Sequence, residues 1–243
     1  MGSFTAFTDR LPDPNWTIRD TGEGHASSYT AGPGFASIKF SSEAPVQINR
    51  TNSGRVITRS SGGHTWKIDV TYNPMTRAEF EPVYSFLLQR NGRLNPFYVV
   101  LPNQSASRSS TFTSTTIRAD AAEHAAGLDY MKQDVFPTDS ASTAVPQIGD
   151  MFTISDDKDS LHTKAYRVNR VTNNTNYLAG QQPATNERYV YFTPSLQRKV
   201  YDDAGITYIN PQIRVILTRD IQEYSLGTNN LYQFSLSLEE AQA

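Results

Sequence analysis

Between residues 66 and 101 the hydrophobic period switches from two to 3.6 and back to two. Trp66, Ile68, Val70 and Tyr72 alternate with Lys67, Asp69 and Thr71, which gives a strand with one apolar and one polar face. Asn73-Pro74 ends it, because proline has no N–H to offer a ladder. Thr76-Arg77-Ala78-Glu79 then fits a capping box, and Phe80, Val83, Tyr84, Leu87 and Leu88 follow at i, i+3, i+4, i+7 and i+8. The spacing predicts one amphipathic helix, about Thr76 to Arg90, stopped by Asn91-Gly92 in the left-handed conformation. A strand returns over Pro96–Leu101. Such an order places a single helix across a sheet.

Upstream, Phe35–Phe40 reads as a strand, Val46 and Ile48 alternate with polar residues, and Asn52-Ser53-Gly54 turns the chain toward a return strand at Val56. Downstream, Ile213–Leu217 is a strand, and Tyr232, Phe234, Leu236 and Leu238 alternate strictly with Gln233, Ser235 and Ser237. This closing strand is expected to complete the sheet begun by residues 35–101. The middle of the chain has a different texture. Thr111–Arg118 is β-prone, a short helix is expected within Ala119–Gln133 with Gly127 interrupting it, and Pro137–Pro146 reads as loop. Met151–Ile154, Ala165–Val171 and Tyr189–Pro194 read as strands, with a turn at Asn173–Asn176. The expected fold class is mainly β: a β-sandwich with one packed α-helix, plus an inserted small β-barrel-like domain. The expected division is an irregular N-terminal arm (1–34), a sandwich domain (35–102 and 212–243) and the insertion (103–211). Trp16 and Ile18 would pin the arm, either to its own core or to a second protein.

Composition narrows the function classes. The 22 Lys and Arg against 24 Asp and Glu leave a net charge of −2, so no global field favours a polyanion, although a local patch stays open. Zero cysteines exclude disulfides, Cys-zinc sites and thiol chemistry. No apolar run approaches the ~20 residues of a membrane helix, and Met1–Ala6 lacks a secretory pattern. The chain is therefore expected to be made in a cytosol, and the sequons at Asn15 and Asn49 read as chance. His25, His64, His124 and His162 show no zincin spacing. Gly22-Glu23-Gly24 lacks the third glycine of a dinucleotide fingerprint, and Asp156-Asp157-Lys158-Asp159-Ser160 lacks the glycine and distal glutamate of a calcium loop. No nucleophile elbow or phosphate loop is present, and no carboxylate pair stands out. No catalytic, cofactor-binding or metal-ligating residue is assigned, and the chain reads as a structural or binding module rather than an enzyme. Tyr189, Tyr191, Tyr201 and Tyr208 either line the insertion's core or face a partner or sugar. Arg50, Arg55 and Arg59 are either ordinary surface charge or the lining of a channel.

The segments Gly62-Gly63-His64-Thr65-Trp66-Lys67-Ile68-Asp69-Val70-Thr71-Tyr72, Phe86-Leu87-Leu88-Gln89-Arg90-Asn91-Gly92-Arg93 and Pro96-Phe97-Tyr98-Val99-Val100-Leu101-Pro102 together resemble the core of tailed-bacteriophage distal tail and minor tail proteins. Tyr232–Ala241 resembles their terminal strand. Gly149-Asp150, Tyr166-Arg167-Val168 and Phe192–Leu196 resemble a small barrel that some of them insert. The resemblance implies a virion protein forming a homo-hexameric ring at the distal end of the tail. That ring joins the tail tube protein to the hub or baseplate protein or the tail fibres, around a lumen for DNA. It implies an insertion facing outward, toward fibres or a host-surface glycan, with no sequence-specific nucleic-acid contact and no membrane insertion. Alternatives from the same reading are a tail tube or tube-terminator protein and a carbohydrate-binding β-sandwich module at the tail tip. A hydrolase of envelope polymers is a further class, for which no acid pair can be named.

Overall fold

The computed structural model describes residues 9–19, 22–25, 32–60, 62–113, 116–120, 123–136 and 144–242. They form two compact units, one built from the chain up to Phe97 together with Val215–Ala241, the other from Tyr98–Arg214. The first unit begins with an antiparallel hairpin of Trp16–Arg19 (β1) and Gly22–His25 (β2). Phe35–Glu43 (β3), Val46–Arg50 (β4), Val56–Ser60 (β5) and Thr65–Tyr72 (β6) follow, then the helix Arg77–Gln89 (α1) and Phe97–Val99 (β7). The second unit holds Arg118–Ala119 (β8), Glu123–His124 (β9), Tyr130–Asp134 (β10) and Met151–Ser155 (β11). It continues with Ala165–Thr172 (β12), Arg188–Thr193 (β13), Val200–Tyr201 (β14) and Gly205–Thr207 (β15). Ile213–Leu217 (β16), Tyr224–Leu226 (β17) and Tyr232–Glu240 (β18) close the chain.

The main sheet has the order β3-β6-β18-β16-β7, with β17 added on β18. Its register puts Ile68 opposite Phe40 and Leu238, and Val70 opposite Ile38 and Leu236. The apolar alternation of β6 and β18 thus falls on one face, where Trp66, Ile68, Val70, Phe234, Leu236 and Leu238 are buried. Helix α1 covers that face: the Phe80 ring stacks on Tyr232 at 4.5 Å and meets Phe234 edge-on at 5.7 Å. The capping box forms, with the Glu79 carboxylate accepting the Thr76 N–H at 2.8 Å, and Asn91 and Gly92 take φ of 55° and 66° at the stop.

The helix is rotated from the expected face. Leu88 is 54% exposed and Tyr84 half-buried, while Phe86 joins Phe80, Val83 and Leu87 in the core. Phe86 meets Phe97 edge-on at 5.4 Å and carries the Arg90 guanidinium over its other side, and these contacts set the rotation. Pro82 lies inside the helix, where it removes the donor that would meet the Ala78 carbonyl.

The N-terminal segment also departs from the irregular arm expected. Residues 10–13 pack on the unit's own core. Leu11 is buried, Tyr72 donates its hydroxyl to the Pro12 carbonyl at 3.1 Å, and Arg10 pairs with Asp13 at 2.6 Å. Arg90 reaches Asp9 at 2.6 Å. Trp16 and Ile18 are only half-buried. Gly32 seals this segment: a Cβ there would stand 2.2 Å from the Asp13 carbonyl oxygen.

In the second unit β10-β13-β12-β11-β15-β8 close into a barrel, which leaves no open edge. Phe112, Ile117, Met131, Phe152, Tyr166, Val190, Phe192 and Tyr208 fill it. The helix expected within Ala119–Gln133 is absent from its described residues, which form the end of β8, β9, a turn over 125–129 and most of β10; Ala121–Ala122 lie outside them. Alternation decides this: Met131 and Gln133 point into the barrel between half-buried Tyr130, Lys132 and Asp134. Residues 130–133 are held by pairing with β13, and Ala125 and Ala126 fall in the turn that leads into β10. Of the β-prone run Thr111–Arg118, only Arg118 is strand and Ser114–Thr115 lie outside the described residues; residues 137–143 of the expected loop do too.

Candidate functional site

Two exposed surfaces stand out in composition and geometry. The first is the β4–β5 ribbon. Every residue of both strands is exposed. The tip is the expected turn, with Gly54 at φ 80° donating its N–H to the Thr51 carbonyl at 2.9 Å. Pairing of Val46 with Ser60, Ile48 with Thr58 and Arg50 with Val56 puts Val46, Ile48 and Val56 on one face. Gln47, Asn49, Ile57 and Arg59 take the other. The side chains of Ile48 (66% exposed) and Val46 (51%) meet solvent. A lone two-stranded ribbon is marginal in water, and among the described residues this one has neither a covered face nor a third strand. Arg50 and Arg59 fall on opposite faces, with Arg55 at the tip, so the three arginines do not form one basic stripe.

The second surface is the outer wall of the barrel. The four tyrosines singled out in the insertion separate here. Tyr208 is fully buried; burial pushes its hydroxyl pKa well up, and it donates to the Gln133 carbonyl oxygen at 2.7 Å. Tyr189 and Tyr191 alternate with buried Val190 and Phe192, so they face outward. There they meet Tyr130, with ring centroids 6.0 and 5.7 Å apart. Arg170 lies 5.9 Å over Tyr191, and the Asn169 amide donates to the Thr193 hydroxyl at 2.6 Å. The ammonium groups of Lys158 and Lys199 lie 5.3 and 4.7 Å from the centre of the Tyr201 ring.

The histidines are scattered. The side chain of His25 lies outside the described residues. His64 bonds the Ser42 hydroxyl at 2.8 Å beside Trp66. His124 is buried against the Asp120 carbonyl, and burial lowers its pKa. His162 is buried against the Tyr166 hydroxyl at 2.8 Å, and burial lowers its pKa to about 4. Gly22-Glu23-Gly24 is strand β2 paired to β1 and opens no helix. The acidic run is a turn that binds its own backbone. Asp156 accepts from the Lys158 and Tyr201 N–H groups at 2.9 Å, and Asp159 pairs with Arg198 at 2.6 Å. Among the described residues no three His, Asp or Glu side chains converge as a metal site.

A recess of the first unit, about 1080 Å³, is lined by residues that include Thr71, Ser235, Ser237, Asp220, Glu223 and Tyr224. Asp220 there pairs with Arg93 at 3.6 Å.

No protein-family model matches the chain, and no curated protein does. The residues that the sequence reading passed over are Arg108 and Arg167. Arg108 sits in a Ser-rich stretch without periodicity, and Arg167 occupies an outward position of a strand like any other. Only the folding of residues 103–108 against the turn at Gly149 brings them together.

Proposed function

We propose that this chain is a structural subunit of a tailed-phage virion. In this reading it is a distal tail protein whose copies close into a hexameric ring, joining the tail tube to the tail-tip hub or baseplate around the DNA channel. The observation that carries the reading is the β4–β5 ribbon. A ring needs two different matching surfaces per subunit. A ribbon of ten exposed residues with Val46, Ile48 and Val56 on one face has the form of such a surface, since burial against a neighbour supplies the third layer it lacks. The edge strand β3, nine residues long and paired on one side by β6, offers further backbone groups for pairing between subunits. The resemblance of residues 62–102 and 232–241 to distal tail proteins points the same way.

A second reading, glycan binding by the barrel, is favoured by the outward strip of Tyr130, Tyr189 and Tyr191. Aromatic faces with polar tips suit contact with sugar rings.

Native mass spectrometry and negative-stain imaging of the purified chain, alone and with its tail-tube neighbour, test the ring. Closed six-fold rings with a central hole are the expected result. A strict monomer under both conditions would overturn the reading.

A further inference from the structure

The barrel unit carries two guanidinium groups that approach the same point. Gly149 turns at φ 97°. A Cβ built there would stand 3.5 Å from Nη2 of Arg167 and 4.0 Å from Nη1 of Arg108. Both arginines are exposed, and among the described residues neither forms an ion pair. They line a recess of about 500 Å³ together with Asn103, Gln104, Asp150 and Asn169.

The pair is held in place from below. Asp150 is buried, and its carboxylate accepts the N–H groups of Arg108 (2.9 Å) and Gln147 (2.8 Å) and the Ser107 hydroxyl. Those bonds fix the loop that carries Arg108 and occupy the one carboxylate in the recess. Arg108 Nη1 also donates to the Ile148 carbonyl at 2.8 Å. Arg167 is set by the barrel: it lies opposite Met151 and Thr193 in the ladders of β12. Gly149 donates to the Val168 carbonyl at 2.8 Å and Val168 to the Asp150 carbonyl at 2.8 Å, which ties the turn to the same strand.

Two like charges brought together on a fixed turn repel one another. An oxyanion between them turns that repulsion into attraction, and the planar fork of arginine matches carboxylate and phosphate oxygens in pairs. The surroundings select what carries the anion. The Asn103, Gln104 and Asn169 amides both donate and accept, which suits hydroxyl groups. Along the same outer wall Thr193, Arg170 and Tyr191 continue the surface to Tyr130 and Tyr189.

We propose that Arg108 and Arg167 form the oxyanion-binding point of a site for an acidic saccharide. The carboxylate or phosphate sits between the guanidiniums, and the sugar body extends over Asn169 toward Tyr191. This rests on the glycan reading of the barrel and is independent of ring assembly.

The test is titration of the labelled full chain with glucuronate, glucose 1-phosphate, glucose and inorganic phosphate, followed by backbone amide NMR. Saturable shifts at residues 103–108, 147–150 and 167–169 are expected with glucuronate and glucose 1-phosphate, and weaker ones with the other two probes. Arg108→Gln and Arg167→Gln should each weaken the acidic sugars roughly tenfold, the weight of one charge-assisted hydrogen bond. Arg167→Lys should not restore binding, and Arg118→Gln, on a strand outside this recess, should leave it intact. Glucose binding as tightly as glucuronate would overturn the anion site while leaving a neutral-glycan reading standing. Inorganic phosphate binding as tightly as glucose 1-phosphate would overturn the saccharide. Absence of saturation with every probe, or unchanged affinity in both arginine variants, would overturn the proposal outright.

Discussion

Gln133 is fully buried; its carbonyl oxygen takes the Tyr208 hydroxyl, while among the described residues its amide nitrogen has no hydrogen-bond partner. Its amide is therefore already half satisfied at best. Removing the hydroxyl leaves the whole amide unpaired, so Tyr208→Phe should lower stability by about 1–3 kcal/mol. The double variant Gln133→Met, Tyr208→Phe should recover most of that loss, because it removes both polar partners. Urea unfolding at constant slope measures both, and a neutral Tyr208→Phe would show that the pair contributes nothing. His162 makes a second residue-scale argument. Its folded pKa of about 4 lies below the ordinary value of 6.5, so the folded state keeps it neutral while the unfolded chain binds a proton. The stabilisation is complete above about pH 6.5 and is lost as pH falls toward about 4, by up to about 1.4 kcal/mol per pH unit. Urea midpoints at about pH 7 and about pH 5 should differ in that direction, and His162→Gln should shrink the difference. A residual slope is expected from His124, which burial depresses in the same direction. An unchanged slope in His162→Gln would remove His162 as the cause.

Elements whose side chains alternate or recur over a long run were legible in the sequence. Strands β6, β16 and β18, the helix with its cap and stop, and the turn at Gly54 follow from spacing alone, because burial on one face writes itself into the residue order. What spacing does not carry is tertiary contact. Phe86 instead of Leu88 enters the core because Phe97 waits for it, and Leu11 is held beside the Pro12 carbonyl that Tyr72 bonds from 60 positions further along the chain. Glu239 and Glu240 break the apolar alternation of the last strand, yet Glu240 is buried and accepts the Trp66 N–H at 3.2 Å. The second unit's short strands, β8 and β15 in the barrel and β9 and β14 in a separate pair, are two or three residues each, too short for any period to register. The recess at Gly149 was illegible for the same reason. The β4–β5 ribbon shows the converse case, a clear pattern without a core to explain it. Ile48→Asp should change the stability of the isolated chain by less than about 0.5 kcal/mol, as for an exposed position, yet abolish any assembly through that face. Thermal melting and native mass of the variant check this together. A destabilised monomer, or rings formed as readily as by the parent chain, would show that Ile48 is not an interface residue.

At the scale of the whole molecule, the two units differ in how the chain makes them. Tyr98–Arg214 is one continuous stretch that closes its own barrel around its own aromatic core. The other unit is discontinuous, since its interior strand β6 pairs with β18, and Ser237 lies opposite Asp69 although the two are 168 positions apart in the chain. A continuous segment with a closed sheet carries everything its core needs, whereas the discontinuous unit cannot complete its sheet until the last strand is present. The fragment 98–214 expressed alone should therefore fold, melt cooperatively and show dispersed amide signals. A chain truncated after Leu217, which lacks β17 and β18, should lose the first unit's cooperative transition while keeping the barrel's. Circular dichroism melts and amide spectra of the two pieces separate the outcomes. A disordered 98–214 fragment would mean that the barrel needs the sheet to fold. A cooperative first unit without residues 218–243 would mean that β18 is an addition to its core, not a part of it.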